Sequence, residues 1–181
     1  MLTQPMLPTS PSRNLLRFLD RIDSPARELA LDVGCGYGRN AVALAERGWR
    51  VICVDRDLTR LTTLQQTKIL FDKINLAERI IPICAELGPD SWPFRRDQFD
   101  MVICIHVVRQ DLFSYFLSSL RPGGYFYFET FGGQRGNFEA LPHIGEVRQS
   151  LGGLDLHYYR EKQVGPPDRE SVTVKALARK P

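Results

Sequence analysis

Long apolar runs are absent from this 181-residue sequence, and none approaches the roughly 18–20 residues that a membrane-spanning helix needs. A secretory signal, with its basic start and apolar core, is also absent from the N-terminal residues MLTQPMLPTSPSR. The four cysteines, Cys35, Cys53, Cys84 and Cys104, show no CxxC or other metal-type spacing. Each lies in or beside an apolar run, as reduced, buried thiols of cytosolic proteins do. These absences predict a cytoplasmic protein with no metal site.

The sequence also lacks a large excess of charge of either sign. Lys and Arg total 24 against 21 Asp and Glu, so the net charge is +3, and the cations are scattered along the chain. Because binding to phosphate backbones needs clustered positive charge, no nucleic-acid partner is predicted. The 43% apolar and 25% charged residues are typical of a globular protein. We expect an N-terminal leader and helix over residues 1–28, capped by Ser12 and forming part of the site's cover, and one domain over 29–181.

Short apolar runs alternate with helical patterns through the first two thirds of the chain. The runs predict strands, buried on both faces, at Leu29–Val33, Val51–Val54, Ile80–Cys84, Met101–Val107 and Tyr125–Phe128. Helices are predicted at Arg39–Arg47, Leu58–Phe71 and Leu112–Leu120. This alternation predicts βαβ units and a mostly parallel sheet with helices on both faces.

The alternation stops near Phe131, where Gly132, Gly133 and Gly136 predict a loop. A helix is expected at His143–Leu151, and then strands at Leu154–Glu161 and Ser171–Ala178 around the turn Gly165-Pro166-Pro167-Asp168. The last two strands predict an antiparallel pair at one sheet edge. The sequence thus predicts a doubly wound, seven-stranded α/β fold with an antiparallel C-terminal hairpin.

The most informative segment is LALDVGCGYGRN, from Leu29 at the start of the first predicted strand to Asn40. Three alternating glycines follow a predicted strand and precede a helix, where the backbone turns sharply and a side chain would block a ligand lying across the turn. The second strand ends in Asp55, seventeen residues after Gly38. A carboxylate there can accept hydrogen bonds from both hydroxyls of a ribose, so the pattern predicts an adenosine-type cofactor.

The glycine spacing distinguishes between cofactors. A dinucleotide fingerprint is GxGxxG, whereas here it is GxGxG with Asp32 two residues before the first glycine. A carboxylate repels a pyrophosphate but attracts a cation, and S-adenosyl-L-methionine carries a sulfonium and an ammonium. A nicotinamide-dependent oxidoreductase is the alternative enzyme class, and both features disfavour it.

The sequence resembles the class I S-adenosylmethionine-dependent methyltransferases, whose first two motifs match LDVGCGYGRNAVALAERGWRVICVDRD. It is similar to the small tellurite-resistance (TehB-like) group within that class over about residues 29–131. The matching motifs are Gly38-Arg39-Asn40-Ala41, Trp92-Pro93-Phe94 and Pro122-Gly123-Gly124 through Glu129-Thr130-Phe131. The resemblance implies a Rossmann-like fold, S-adenosyl-L-methionine as cofactor, and methyl transfer.

The resemblance also implies roles for individual residues. The glycines underlie the methionine part of the cofactor, Asp55 holds the ribose, Glu86 meets the adenine amino group, and Leu87 packs on the ring. The expected cofactor-binding residues are Asp32, Gly34, Gly36, Gly38, Asn40, Asp55, Arg56, Glu86, Leu87, Ile105 and His106. The expected catalytic residues are His106, Arg109 and Glu129.

Each assignment has a structural alternative. The glycines can form only a tight turn, Asp55 can cap the helix that opens at Asp57-Leu58, and Glu86 can be a solvated carboxylate. His106 can accept a substrate proton or be a hydrogen-bonded core residue.

Two further pairs of alternatives concern the mouth of the site. Arg109 and Glu129 can bind substrate or form a buried ion pair with each other. Tyr37 can cover the cofactor or pack on the sheet rim.

The cysteines fall near the ends of four adjacent strands, so a metalloid site is an alternative to buried structural thiols.

The function predicted from the sequence is S-adenosylmethionine-dependent methyl transfer to a small-molecule acceptor by in-line displacement. No segment of the N/D-P-P-Y type follows the fourth strand, so nucleic-acid methylation is disfavoured. Gln134, Arg135 and Asn137 are expected to help enclose a small polar or anionic acceptor. The alternative is a non-catalytic, cofactor-binding regulatory or partner-activating subunit.

Overall fold

A computed structural model describes residues 10–22, 29–70, 76–131, 138–166 and 169–181. Its seven strands are β1 (Leu29–Val33), β2 (Arg50–Asp55), β3 (Ile80–Cys84), β4 (Phe99–Ile105), β5 (Leu120–Glu129), β6 (Asp155–Gln163) and β7 (Val172–Arg179). Its α-helices are α1 (Arg13–Leu19), α2 (Arg39–Ala45), α3 (Leu58–Leu70), α4 (Leu76–Arg79), α5 (Phe113–Ser119) and α6 (Glu146–Ser150).

All seven strands form one sheet in the order β3-β2-β1-β4-β5-β7-β6. The first five strands are parallel, β7 is antiparallel to β5, and β6 is antiparallel to β7. The predicted Rossmann-like sheet with its antiparallel C-terminal hairpin is therefore confirmed. Since the strand order reverses between β1 and β4, the carboxyl ends of these strands form the switch point where doubly wound folds bind ligands.

The sheet separates two apolar cores because successive side chains of a strand point to opposite faces. Strand β5 shows this directly. Tyr125 and Tyr127 face the core that contains α1, α2 and α3, whereas Phe126 and Phe128 face the core that contains α5 and α6. Both faces of the central strands are therefore covered by helices, as the unbroken burial of β4 also shows.

Helix α1 packs on the first of these cores through Leu15, which is fully buried. Ser12 is its N-cap, and the Ser12 hydroxyl accepts a hydrogen bond from the Leu15 N–H at 3.3 Å. The predicted capped helix is confirmed. No helix among the described residues is both long and apolar enough to cross a membrane.

Several predicted elements differ from the observed ones. Strand β3 is an edge strand and only partly buried, which suits Pro82, a residue that cannot donate to a second neighbouring strand. Strand β4 ends at Ile105 because His106 has a left-handed φ of +63°. Helix α6 begins only after Gly145, whose φ is +78°.

A few predictions concern segments outside the described residues. These are most of the leader, Phe71 at the expected end of the third helix, the Gly132–Asn137 loop, and the Pro167-Asp168 part of the last turn.

Candidate functional site

A cleft of about 580 Å³ opens at the carboxyl ends of β1, β2, β3 and β4. Of the site residues expected from the sequence, all but Asp32, Gly38 and Glu129 line it. The parallel sheet accounts for this convergence, because the ends of its strands meet at one edge.

The three glycines differ in what their local structure requires. All have positive φ, at +66°, +57° and +76° in chain order, so each has a conformation that suits glycine. A Cβ on Gly34 would collide with Val107, and one on Gly38 would collide with Leu64. A Cβ on Gly36 would meet nothing within 4 Å. A tight packed turn thus explains two of the glycines, whereas Gly36 borders open space in the cleft.

Asp55 does not cap the helix that follows it. Its Oδ2 accepts a 2.7 Å hydrogen bond from the Gly36 N–H, and its Oδ1 accepts one of 2.9 Å from the Asp57 N–H. The cap of α3 is Asp57, which accepts from the N–H groups of Thr59 and Arg60. Asp55 therefore ties the end of β2 to the glycine loop and presents its carboxylate to the cleft.

Asp32 is 1% exposed and lies behind the glycine loop rather than in the cleft wall. Its Oδ2 has no hydrogen-bond partner among the described residues. Burial raises the pKa of this carboxyl to about 8, with Arg39 opposing the shift and Asp55 adding to it. A buried carboxyl without a full set of partners is costly, and a nearby cationic ligand would offset that cost.

At the end of β3, Leu87 and Glu86 have different surroundings. Leu87 is 7% exposed and forms an apolar part of the cleft wall. Glu86 forms an ion pair with Arg56 at 3.5 Å, and both side chains are more than 70% exposed. Because exposed pairs are weak, this one leaves the Glu86 carboxylate available to a ligand in the cleft.

His106 is held from two directions at the end of β4. Its backbone N–H donates to the Glu129 carbonyl at 2.7 Å, and its ring Nδ1 lies 3.0 Å from Nη2 of Arg39. Burial and then the charge of Arg39 lower the pKa of His106 below its usual value. Positive φ at a residue other than glycine is uncommon and is concentrated at functional sites. The core alternative does not hold, since the side chain is exposed and lines the cleft.

Arg109 and Glu129 do not form an ion pair, so that alternative is wrong. Arg109 donates to both oxygens of Asp111 and, at 3.0 Å, to the Leu87 carbonyl, and it lines the cleft. Glu129 instead accepts from the hydroxyls of Ser12 and Tyr127 at 2.5 and 2.6 Å and pairs with Lys175 at 3.3 Å.

The charge state of Glu129 follows from these contacts. Burial alone would raise its pKa, but the hydrogen bonds from Ser12 and Tyr127 and the charge of Lys175 lower it below its usual value. Ser12 also donates its N–H to Asn40 Oδ1 at 3.0 Å. The leader helix is thus joined to α2 and to the end of β5.

The cysteines are only partly as expected. Cys35, Cys53 and Cys104 are buried and Cys84 is exposed, because Cys84 ends the edge strand β3. A hydrogen bond to Cys53, together with burial, raises the pKa of Cys35, and burial raises that of Cys104. No group of three or more His, Cys, Asp or Glu side chains in the described part of the chain is arranged to hold a metal ion.

Sequence reasoning left out two charged cleft residues, Arg39 and Arg60. Arg60 lies over the Tyr37 ring at 5.9 Å, and Tyr37 lines the cleft rather than packing on the sheet. Arg39 stands directly after the last glycine of the motif, which is the signal that could have identified it. Its contact with His106, 67 positions away, appears only in the fold.

Comparison with known proteins identifies the family of the chain. Residues 30–124 match the family model of a methyltransferase domain, and no curated protein matches the chain. TehB from Haemophilus influenzae is 18% identical, with a TM-score of 0.70 over 94% of this chain and 63% of that chain. The geranyl diphosphate C-methyltransferase of Streptomyces coelicolor A3(2), solved with S-adenosyl-L-homocysteine, is 15% identical, with a TM-score of 0.71 over 92% and 80%.

A third similar structure is the [4+2]-cyclase SpnF, which is 17% identical, with a TM-score of 0.70 over 93% of this chain and 80% of that chain. At these identities the structural likeness establishes the fold alone. The family match and the shared fold together confirm the resemblance to class I methyltransferases and to the TehB-like group.

Proposed function

Because the chain belongs to the methyltransferase domain family, we propose that it transfers a methyl group to a small-molecule acceptor by in-line displacement. The cofactor is S-adenosyl-L-methionine, which supplies an activated methyl group on a sulfonium. The observation that carries the proposal is the open face of Gly36 beside the Asp55 carboxylate, at the switch point of the sheet. This is the arrangement that an adenosine-type ligand requires.

The residues present fit a cationic cofactor. The unpartnered oxygen of Asp32 is a buried acceptor that such a ligand would stabilise in its charged form. Asp55 would hold the ribose hydroxyls, Leu87 would contact the adenine, and Glu86 would accept from its amino group. The Gly34–Gly38 turn would lie under the methionine part, with Asn40 and Arg56 at its margins.

On the acceptor side, Ile105 and His106 leave the sheet nearest the expected reaction centre. Because the leaving group departs without protonation, the chain's main task is to hold the acceptor in line with the methyl group. Arg109 is a fixed cation at the mouth, since Asp111 and the Leu87 carbonyl hold its guanidinium. Glu129 is proposed to act through Ser12, by holding α1 over this end of the sheet as part of the site's cover.

Other functions have less support. SpnF, a cyclase, shows that this fold can serve a different reaction, but its likeness carries only the fold. A partner-activating subunit should present an apolar docking face. The exposed large apolar side chains in the described residues lie in five different segments; they are Tyr37, Leu58, Ile81, Ile144 and Leu156. We retain a cytoplasmic location as part of the proposal, supported by four free thiols.

Titration calorimetry with S-adenosyl-L-methionine tests the cofactor site. We expect one site per chain, and at least about tenfold weaker binding in Asp55→Ala, because charge-assisted hydrogen bonds to the ribose are lost. Asp57→Ala is the matched control, since it removes a neighbouring carboxylate that caps α3 without lining the cleft. Undiminished binding in a folded Asp55→Ala protein would contradict the assignment.

A further inference from the structure

The contact between Arg39 and His106 determines where the imidazole proton lies. Arg39 Nη2 is 3.0 Å from His106 Nδ1. A guanidinium has only hydrogen-bond donors, so Nδ1 must be the acceptor and carries no proton. In a neutral imidazole the proton then lies on Nε2, which has no hydrogen-bond partner among the described residues.

The surroundings keep this ring neutral. The charged groups that act on it are Arg39 from the start of α2, Glu129 from β5 and Lys175 from β7. Burial, Arg39 and Lys175 disfavour the imidazolium, and Glu129 favours it; the balance is a lowered pKa. The backbone hydrogen bond to the Glu129 carbonyl fixes the chain at the point where the ring enters the cleft.

We propose that Arg39 holds His106 as its Nε2–H tautomer, so that His106 donates a hydrogen bond to a methyl acceptor that arrives already deprotonated. This inference rests on the proposed methyltransferase function and replaces the role of His106 as a proton acceptor. A ring with Nδ1 engaged by Arg39 and a proton on Nε2 has no free lone pair with which to remove a proton.

The acceptor class follows from the charge in the cleft. Four guanidinium groups line it: Arg39, Arg56, Arg60 and Arg109. Arg39 donates to the His106 ring at Nδ1, so its positive charge lies next to the ring that carries the Nε2–H. A small anion beside Arg39 and the Nε2–H would therefore be stabilised.

The reaction balances without a base. A lone pair of the anionic acceptor, such as a carboxylate or a phenolate oxygen, forms the bond to the methyl carbon. The carbon–sulfur bond breaks, and its electron pair remains on sulfur. An anion and a sulfonium thus become a neutral methylated product and a neutral thioether, and no proton is released.

Long-range ¹H–¹⁵N NMR of the imidazole rings tests the tautomer directly. The chain has three histidines, so the His106 signals can be assigned by substituting His143 and His157. We expect the Nε2–H form at neutral pH in the wild type. Arg39→Ala should give a mixture of tautomers and a higher His106 pKa, and Arg39→Lys, which keeps a donor, should restore the Nε2–H form. Arg60→Gln, which removes another cleft cation, should leave both unchanged.

Acetate and acetamide serve as matched probes of the donor. Acetate should shift the His106 Nε2 signal, acetamide should shift it far less, and acetate binding should be at least about tenfold weaker in Arg39→Ala. An Nδ1–H form or an imidazolium at neutral pH in the wild type would overturn the proposal, as would equal responses to the two probes. Cofactor binding measured on the same samples distinguishes failure of the tautomer proposal from failure of the proposed function. If S-adenosyl-L-methionine does not bind, the methyltransferase function is refuted, and the tautomer measured for His106 still stands.

Discussion

Asp32 and Asp55 show how a residue's position on its strand sets the state of a carboxyl group. Asp55 ends β2, where two backbone N–H groups reach its oxygens. Asp32 lies one residue before the end of β1, and its Oδ2 remains unpartnered in the described part of the molecule. Burial therefore raises the pKa of Asp32 to about 8. In the absence of cofactor this group is mostly protonated at neutral pH, and a bound cation would favour its ionisation.

The raised pKa of Asp32 makes stability depend on pH. Between the ordinary value of 3.8 and about 8, the folded state binds a proton that the unfolded state does not. The contribution of Asp32 to the free energy of unfolding is therefore present at low pH and is lost as the pH rises through this window. Asp32→Asn removes the titrating group and should flatten this part of the pH dependence.

Urea unfolding across that pH range measures the effect. The stability of Asp32→Asn relative to the wild type should increase steadily toward the upper end of the window. Leu31→Val is the control, because it alters a buried side chain of the same strand without removing a titrating group, and it should change stability equally at every pH. Parallel curves for Asp32→Asn and the wild type would refute the assigned burial effect.

At the scale of elements, Ser12 links α1 to two of the elements around the site. Ser12 caps the helix, donates its N–H to Asn40, and donates its hydroxyl to Glu129. These contacts join the leader to the end of β5 and to α2, and α2 borders the cleft. Loss of the Ser12 hydroxyl removes the cap and one of the partners of the buried Glu129 carboxylate.

Ser12→Ala should therefore destabilise the protein by about 1–2 kcal/mol, as expected for a lost N-cap with an associated buried contact. Chemical denaturation measures this loss. Ser10→Ala is the matched control, because Ser10 is exposed and precedes the helix. An equal effect of the two substitutions would show that Ser12 does not hold α1 in place.

The elements also show how far the sequence could predict the molecule. The apolar runs located all seven strands, and the parallel arrangement then placed the expected residues at one edge, from Gly36 on β1's loop to His106 after β4. Local pattern could not reveal the edge position of β3, which exposes Cys84. It also could not reveal contacts between distant residues, such as Arg39 with His106 or Ser12 with Glu129, which depend on the packing of separate elements.

For the whole molecule, the sheet order explains why the charges are arranged as they are. The modest net charge of +3 hides a local contrast within the cleft. Asp55 at the end of β2 and Glu86 after β3 line the part where a cationic cofactor would lie, and Arg39, His106 and Arg109 line the part near the end of β4. A cofactor with positive charge and an acceptor with negative charge would thus bind to different parts of one cleft.

Transfer of label from S-adenosyl-L-methionine carrying a tritiated methyl group tests the central claim most directly. The purified protein would be incubated with a deproteinised extract of small metabolites, and the products separated by size and charge. The account predicts label in a low-mass product that has lost one negative charge, with an equal amount of S-adenosylhomocysteine. Cofactor binding without any S-adenosylhomocysteine, or label found only in added nucleic acid or protein, would contradict it.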